Sequence, residues 1–134
     1  MKALILAAGS PHHPDDPAWL LQPLGDRALI DYVVERATTL VAPDHLLVVI
    51  EQANSAVAAH FGDRYRYVVQ GERRGTGHAV LQAERALAGY EGPLLILYGD
   101  TVLLRRSSLL GLVTRHQLKQ ADMTLLAATT DQML

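Results

Sequence analysis

Three short stretches of this 134-residue chain carry residues able to do chemistry. Gly9 ends the apolar run that closes with Ala7-Ala8; Gln70 opens the loop Gln70-Gly-Glu-Arg-Arg-Gly-Thr-Gly77; and Gly99-Asp100 follows the run that ends at Tyr98. Glycine lets main-chain N–H groups come close to a ligand. A glutamine amide offers both donor and acceptor to the edge of a base, and glycine on both sides of Thr76 lets a base or phosphate reach the backbone. Asp100, at a strand end, is a hard oxygen ligand of the kind Mg²⁺ takes. Each stretch also has a plainer reading: a strand-turn glycine, a threonine helix cap, a turn aspartate. His12-His13 with Asp15-Asp16 combines imidazole and carboxylate as Zn²⁺ or Ni²⁺ sites do, but no third ligand with recognisable spacing follows. His78 reads as a packed helix-start residue or a ligand, and Trp19 as a core anchor or a stacking platform.

Composition bounds the chemistry further. The length suits one domain, residues 1–134, on the usual scale of roughly 100–200 residues each. With 49% apolar residues, 19% charged and a net charge of -2, the chain has neither the make-up of a disordered segment nor the basic excess of a nucleic-acid binder. The absence of cysteine excludes disulfides and thiol catalysis. No apolar run reaches the length of a membrane span and no secretory signal opens the chain, so a cytoplasmic location without membrane partners is expected. Neither G-x-G-x-x-G nor G-x-x-x-x-G-K-[ST] occurs, which removes the dinucleotide fingerprint and the P-loop.

The elements that must position these residues alternate in type. Residues 3–8 read as a buried parallel strand, too short to cross a membrane. Residues 10–24 carry four prolines and form a long loop. Helical spacing of Leu29, Ile30, Val33, Val34, Ala37 and Leu40 predicts a helix over 28–40 with Asp26 as its cap. A strand over 45–50 and a short helix capped by Asn54 or Ser55 follow, then a third strand over 65–69. A helix over 78–87 capped by Thr76, a fourth strand over 93–98 buried on both faces, a helix from Ser107 to about residue 119 and a fifth strand over 123–129 complete the chain. This βα alternation predicts an α/β fold, a three-layer, doubly wound, mostly parallel sheet with right-handed crossovers. In such sheets ligands collect at the carboxyl ends of strands near the point where strand order reverses, and the three stretches all fall there.

Leu6-Ala-Ala-Gly9, Gln22-Pro-Leu-Gly-Asp-Arg-Ala-Leu-Ile-Asp-Tyr-Val-Val-Glu-Arg-Ala37, Gln70-x4-Gly75-Thr-Gly-His-Ala79 and Leu97-Tyr-Gly-Asp100 stand in the order and spacing of the sugar-phosphate nucleotidyltransferases. The chain most resembles the uridylyltransferase (pyrophosphorylase) domain of the bacterial N-acetylglucosamine-1-phosphate uridylyltransferases. The resemblance implies a Rossmann-like nucleotide-diphospho-sugar transferase fold. It implies that the backbone of Leu6, Ala7, Ala8 and Gly9 and the side chain of Gln70 hold uracil, that Gly75 and Thr76 line the base pocket, and that Asp100 binds Mg²⁺. The implied reaction is uridylyl transfer from UTP to a sugar-1-phosphate with release of pyrophosphate, in nucleotide-sugar biosynthesis.

The sequence departs from that family in the loop after Gly9. An arginine and a lysine of the family fall, by register, at His13 and Trp19, and neither replacement clamps a triphosphate as those cations do. Loss of one transition-state donor costs about 10²–10³ in rate, so these catalytic positions predict weak or absent turnover. Asp15 and Asp16 add negative charge to the same loop. The resemblance also implies that the sugar-binding residues and a second Mg²⁺ ligand lie beyond Leu134. A fifth strand lacking a covering helix would then leave an apolar patch, and a homo-oligomer is one consequence. Two function classes stand side by side: a nucleotidyltransferase represented by its nucleotide-binding part, and a catalytically impaired nucleotide-binding or protein-interaction module derived from one.

Overall fold

The structure, a computed structural model, describes residues 1–9, 13, 16, 18–129 and 131. Its chain divides into two compact units, Met1–Leu104 and Arg105–Leu134. In the first, strands β1 (Lys2–Leu6), β4 (Leu46–Ile50), β5 (Arg66–Val69) and β6 (Leu94–Tyr98) form one parallel sheet in the order β5-β4-β1-β6. Between β1 and β4 lie a small antiparallel hairpin, β2 (Pro23–Leu24) with β3 (Arg27–Ala28), and helix α1 (Leu29–Thr38). Helices α2 (Ala56–Phe61) and α3 (Thr76–Leu81) make the next two crossovers. The second unit holds helix α4 (Arg106–Lys119), closed by Gln120 in the left-handed conformation at φ 48°.

The apolar runs of β1 and β4 are unbroken because both strands are central. Ala3, Leu4 and Ile5 are fully buried, as is all of β4 to within 1%. Side chains alternate across a strand. Leu4, Leu6, Leu47, Val49 and Val68 pack on one face with Ala79 and Ala83 from α3 and the turn after it. Chain order runs outward from β1 to β5 and then jumps back past β1 to β6, so right-handed crossovers place α1 and α2 on the opposite face from α3. The buried stripe of α1, Ile30, Val33, Val34 and Ala37, is the one its 3.6-residue spacing predicts. At roughly 1.5–3 kcal/mol per buried aliphatic side chain, this two-sided burial is what holds the strand ends in place.

Several local expectations need correction. The cap of α1 is not Asp26, which sits in the tight turn between β2 and β3; Asp31, inside the first turn, accepts the Ala28 N–H at 3.1 Å through Oδ2. The long loop therefore ends in a hairpin, because Gly25 takes a positive φ of 68° and lets Leu24 and Arg27 pair. Of the two caps expected for α2, Ser55 is the one used, as anticipated, accepting the Ala58 N–H at 3.1 Å. Thr76 is the first residue of α3 rather than its cap; Gly75, at φ 94°, holds the capping position. The helix expected over 78–87 stops at Leu81 and resumes as a single 3₁₀ turn, Arg85–Leu87. β6 is buried on one face only: Leu95 and Leu97 are inside while Ile96 and Tyr98 are 41% and 51% exposed, as befits an edge strand. No strand forms over 123–129, where Met123 and Leu125 are more than three-quarters exposed; an extended segment without a ladder partner is not a stable strand. Instead His116 Nδ1 meets Thr124 Oγ1 at 3.0 Å and ties this segment to α4.

Candidate functional site

The strand order reverses between β4 and β6, on either side of β1, and backbone bonds knit the carboxyl ends together there. Ala7 N–H donates to Val49 O (2.8 Å), Gly99 N–H to Leu6 O (3.0 Å) and Gln70 N–H to Ile50 O (2.8 Å). Above these bonds lies a cavity of about 610 Å³. Leu6, Ala8, Gly9, Gln70, Gly75, Thr76 and Asp100 all line it, so the three loops meet on one wall. Tyr98 faces it too: its register partner is Leu6, on the α3 side of the sheet, and half its surface is open. Ala7 is buried beneath the turn and its N–H is spent on β4, so its part in the site is to fix the backbone of its neighbours.

Gln70 is the only buried polar side chain among the described residues, 8% exposed. Burial of an amide is costly without partners. Its Nε2 donates to the Gly75 carbonyl and lies against His78 Nδ1, both at 3.2 Å. Because a carbonyl only accepts, the amide nitrogen must face it, and it also donates to His78 Nδ1 when that ring nitrogen is unprotonated. Gln82 flanks the other side of the ring, 3.2 Å from Nε2. His78 is thus a packed helix-start residue that braces Gln70, and Gln70 braces the turn at Gly75.

Gly99 is closely packed. A Cβ there would lie 2.9 Å from Leu20 Cδ1 and 3.0 Å from the Leu6 carbonyl oxygen. Leu20, 3% exposed, is the buried member of the 3₁₀ turn Trp19–Leu21 and lines the cavity. The core anchor of this loop is therefore Leu20 and not Trp19, which is partly exposed and stacks on His13 with ring centroids 3.5 Å apart. Neither His13 nor Trp19 lines the cavity. Asp16 is committed within its own loop, accepting Ala18 N–H at 3.0 Å and Gln22 Nε2 at 3.3 Å. His12 and Asp15 lie outside the described residues, and among the described residues no group of three or more His, Asp or Glu is placed to hold a metal.

Asp100 is exposed at the end of β6 with Thr101 beside it on the cavity wall. One carboxylate, open to water and to substrate oxygens, is a donor set that fits Mg²⁺, which keeps several waters and takes few protein ligands. A residue that sequence reasoning passed over, Arg73, also lines the cavity. Its signal was its position inside the Gln70–Gly75 gap. Gly9 adopts φ 127°, and a Cβ at that position would stand 2.6 Å from Arg73 Nη1, so the guanidinium rests directly on the Gly9 backbone. The positive φ is the condition that favours glycine here.

The chain is similar to proteins of known identity. The protein named Bifunctional protein GlmU is 32% identical over 127 residues in Enterococcus faecalis, covering 94% of this chain. The Anaeromyxobacter dehalogenans protein of the same name is 38% identical over 136 residues, covering 98%. The chain spans only 28% of the length of each. The fold is similar to that of a UDP-glucose pyrophosphorylase from Acinetobacter baumanii, with TM-score 0.72 at 20% identity over 90% of this chain and 53% of that one. No helix among the described residues is long and apolar enough to cross a membrane. Residues 3–133 match the MobA-like NTP transferase domain, and with the parallel sheet and its strand-end cavity this settles the kinship: the chain belongs to the MobA-like NTP transferase family.

Proposed function

We propose that this chain binds UTP in the strand-end cavity and serves, in the cytoplasm, as the nucleotide-binding part of a uridylyltransferase acting on a sugar-1-phosphate of the N-acetylglucosamine-1-phosphate type. The observation that carries the reading is Gln70: a lone buried amide in a cavity wall, its nitrogen committed to Gly75 and His78, its carbonyl oxygen the acceptor for a base N–H. Uracil would lie over Ala8 and Gly9 beside Gln70, with Gly75 and Thr76 bordering the pocket. In the reaction a phosphate oxygen of the sugar phosphate attacks the α-phosphorus of UTP, the new P–O bond forms, the α–β bridge breaks and pyrophosphate leaves. No protein nucleophile takes part, so the chain's task is alignment and charge neutralisation. Asp100 would hold Mg²⁺, whose chemistry there is to offset phosphate charge.

A second reading, a catalytically impaired nucleotide-binding module, is favoured by the stacked His13–Trp19 pair, which lies outside the cavity wall and places no fixed cation in it. Calorimetry with UTP and pyrophosphate release from UTP plus N-acetylglucosamine-1-phosphate with Mg²⁺, on one preparation, test both. Binding with release supports transfer; binding without release supports the impaired module; no binding of UTP refutes both.

A further inference from the structure

We propose that His78 is the positioning residue that selects the base, acting through Gln70. Its Nδ1 lone pair and the Gly75 carbonyl together hold both amide protons of Gln70, so the side chain offers the cavity an acceptor alone; the inference rests on the nucleotide reading above. A glutamine amide can read a base from either end, as donor or as acceptor, and half a turn exchanges the two. Gly75 O and His78 Nδ1 both stand 3.2 Å from Gln70 Nε2. An amide nitrogen carries two protons, and two acceptors use both. Among the described residues Oε1 meets no donor, and no buried side-chain oxygen among them lacks a partner, so Oε1 is the open end of the amide, on a residue that lines the cavity. Turned over, the amide would set this oxygen against a carbonyl oxygen and a ring lone pair at once. The fixed acceptor suits a base with a ring N–H, as uracil has at N3, and opposes one with a lone pair there, as cytosine has. His78 does not itself line the cavity.

A neutral imidazole has one lone pair to give, and two glutamines face it. Gln82 Nε2 stands 3.2 Å from His78 Nε2, on the side of the ring away from Gln70. Gln70 has the stronger claim. Gly75 fixes which end of its amide faces the ring, and its backbone N–H is bonded to Ile50 O at 2.8 Å. The second contact of the Gln82 amide, to the carbonyl of His78, is long at 3.4 Å, and that amide can turn to accept from a ring N–H. The bond made by one ring nitrogen sets the proton on the other. Gln70 therefore takes the lone pair at Nδ1, and the ring proton stays on Nε2 beside Gln82.

The test compares UTP with CTP by calorimetry for the native chain, His78→Phe, His78→Asn and Gln82→Leu, each checked for a native melting profile, with nitrogen NMR of the native imidazole. The two ligands share their phosphates, so the ratio of affinities reports the base alone. Native chain should favour UTP about 10- to 100-fold. His78→Phe keeps the ring's bulk and removes one of the two acceptors that oppose turning of the amide, so the ratio should shrink about 5- to 10-fold. His78→Asn puts Oδ1 where Nδ1 stood and should restore the native ratio to within about threefold, and Gln82→Leu should leave it within about twofold. The NMR spectrum should show Nδ1 without a proton. Equal weakening of UTP and CTP in His78→Phe would overturn the proposal by reducing His78 to a structural part, and an unchanged ratio would overturn it by leaving Gly75 to orient the amide alone. A protonated Nδ1, or no rescue by His78→Asn, would overturn it as well. Native chain that binds UTP and CTP alike would overturn base selection and leave the nucleotide site standing, whereas binding of neither would overturn the nucleotide reading and the role of His78 with it.

Discussion

Gln70→Ala separates the amide's structural work from its recognition work. In the unliganded chain the side chain makes two contacts at 3.2 Å, to Gly75 O and His78 Nδ1, from a position 8% exposed. Each net hydrogen bond is worth about 1 kcal/mol, so removing both should lower unfolding free energy by about 2 kcal/mol. Gly75 is exposed and water can replace the lost donor at its carbonyl, which keeps the estimate from rising further. A base contact to the amide oxygen adds about 1–3 kcal/mol of uridine binding, or about a 5- to 150-fold increase in Kd. Urea unfolding and calorimetry with uridine read the two quantities independently. Gln70→Glu keeps the volume but sets a carboxylate oxygen against the Gly75 carbonyl, and should destabilise the chain at least as much. Native stability in Gln70→Ala would refute the bracing account, and native uridine affinity would remove Gln70 from the base pocket.

Gly99→Ala should cost about 1–3 kcal/mol by overpacking, because the new Cβ meets both Leu20 and the Leu6 carbonyl; a double-mutant cycle with Leu20→Ala should recover part of that loss, and strict additivity would refute the clash. His13→Arg with Trp19→Lys should lower the melting temperature through loss of a stacked pair worth about 0.5–1.5 kcal/mol, without improving UTP affinity, since neither residue lines the cavity. A rise in triphosphate affinity would show that this loop reaches the ligand. Burial pushes the Tyr67 phenol above its ordinary value of 10, against the opposing charge of Arg64, while its hydroxyl donates to Gly62 O at 2.6 Å. The folded value exceeds the unfolded one, so this contribution is fully present below about pH 10 and lost as pH climbs through the folded value. Urea titrations at pH 8 and above pH 10 should show a smaller drop in Tyr67→Phe than in the native chain; equal drops would exclude Tyr67 as the source.

What local sequence determined is what local interactions enforce. Unbroken apolar runs at 3–8 and 46–50 mark central parallel strands because no polar face is needed there, and the 3.6-residue stripe from Leu29 marks α1 because one side must be buried. The convergence of Gly9, Gln70–Gly75 and Asp100 was legible for the same reason, since parallel strands put all their carboxyl ends on one edge. Tertiary contact decided the rest. Composition favours Trp19 as the anchor of its loop, yet the 3₁₀ turn directs Leu20 inward against Gly99 and leaves Trp19 on His13. Residues 123–129 have strand-forming side chains but no ladder partner, and a strand exists only as a pair. Arg73 stands beside an arginine of identical type; which of the two enters the cavity follows from where a loop folded over Gly9 points them, and that direction is set by residues distant in the chain.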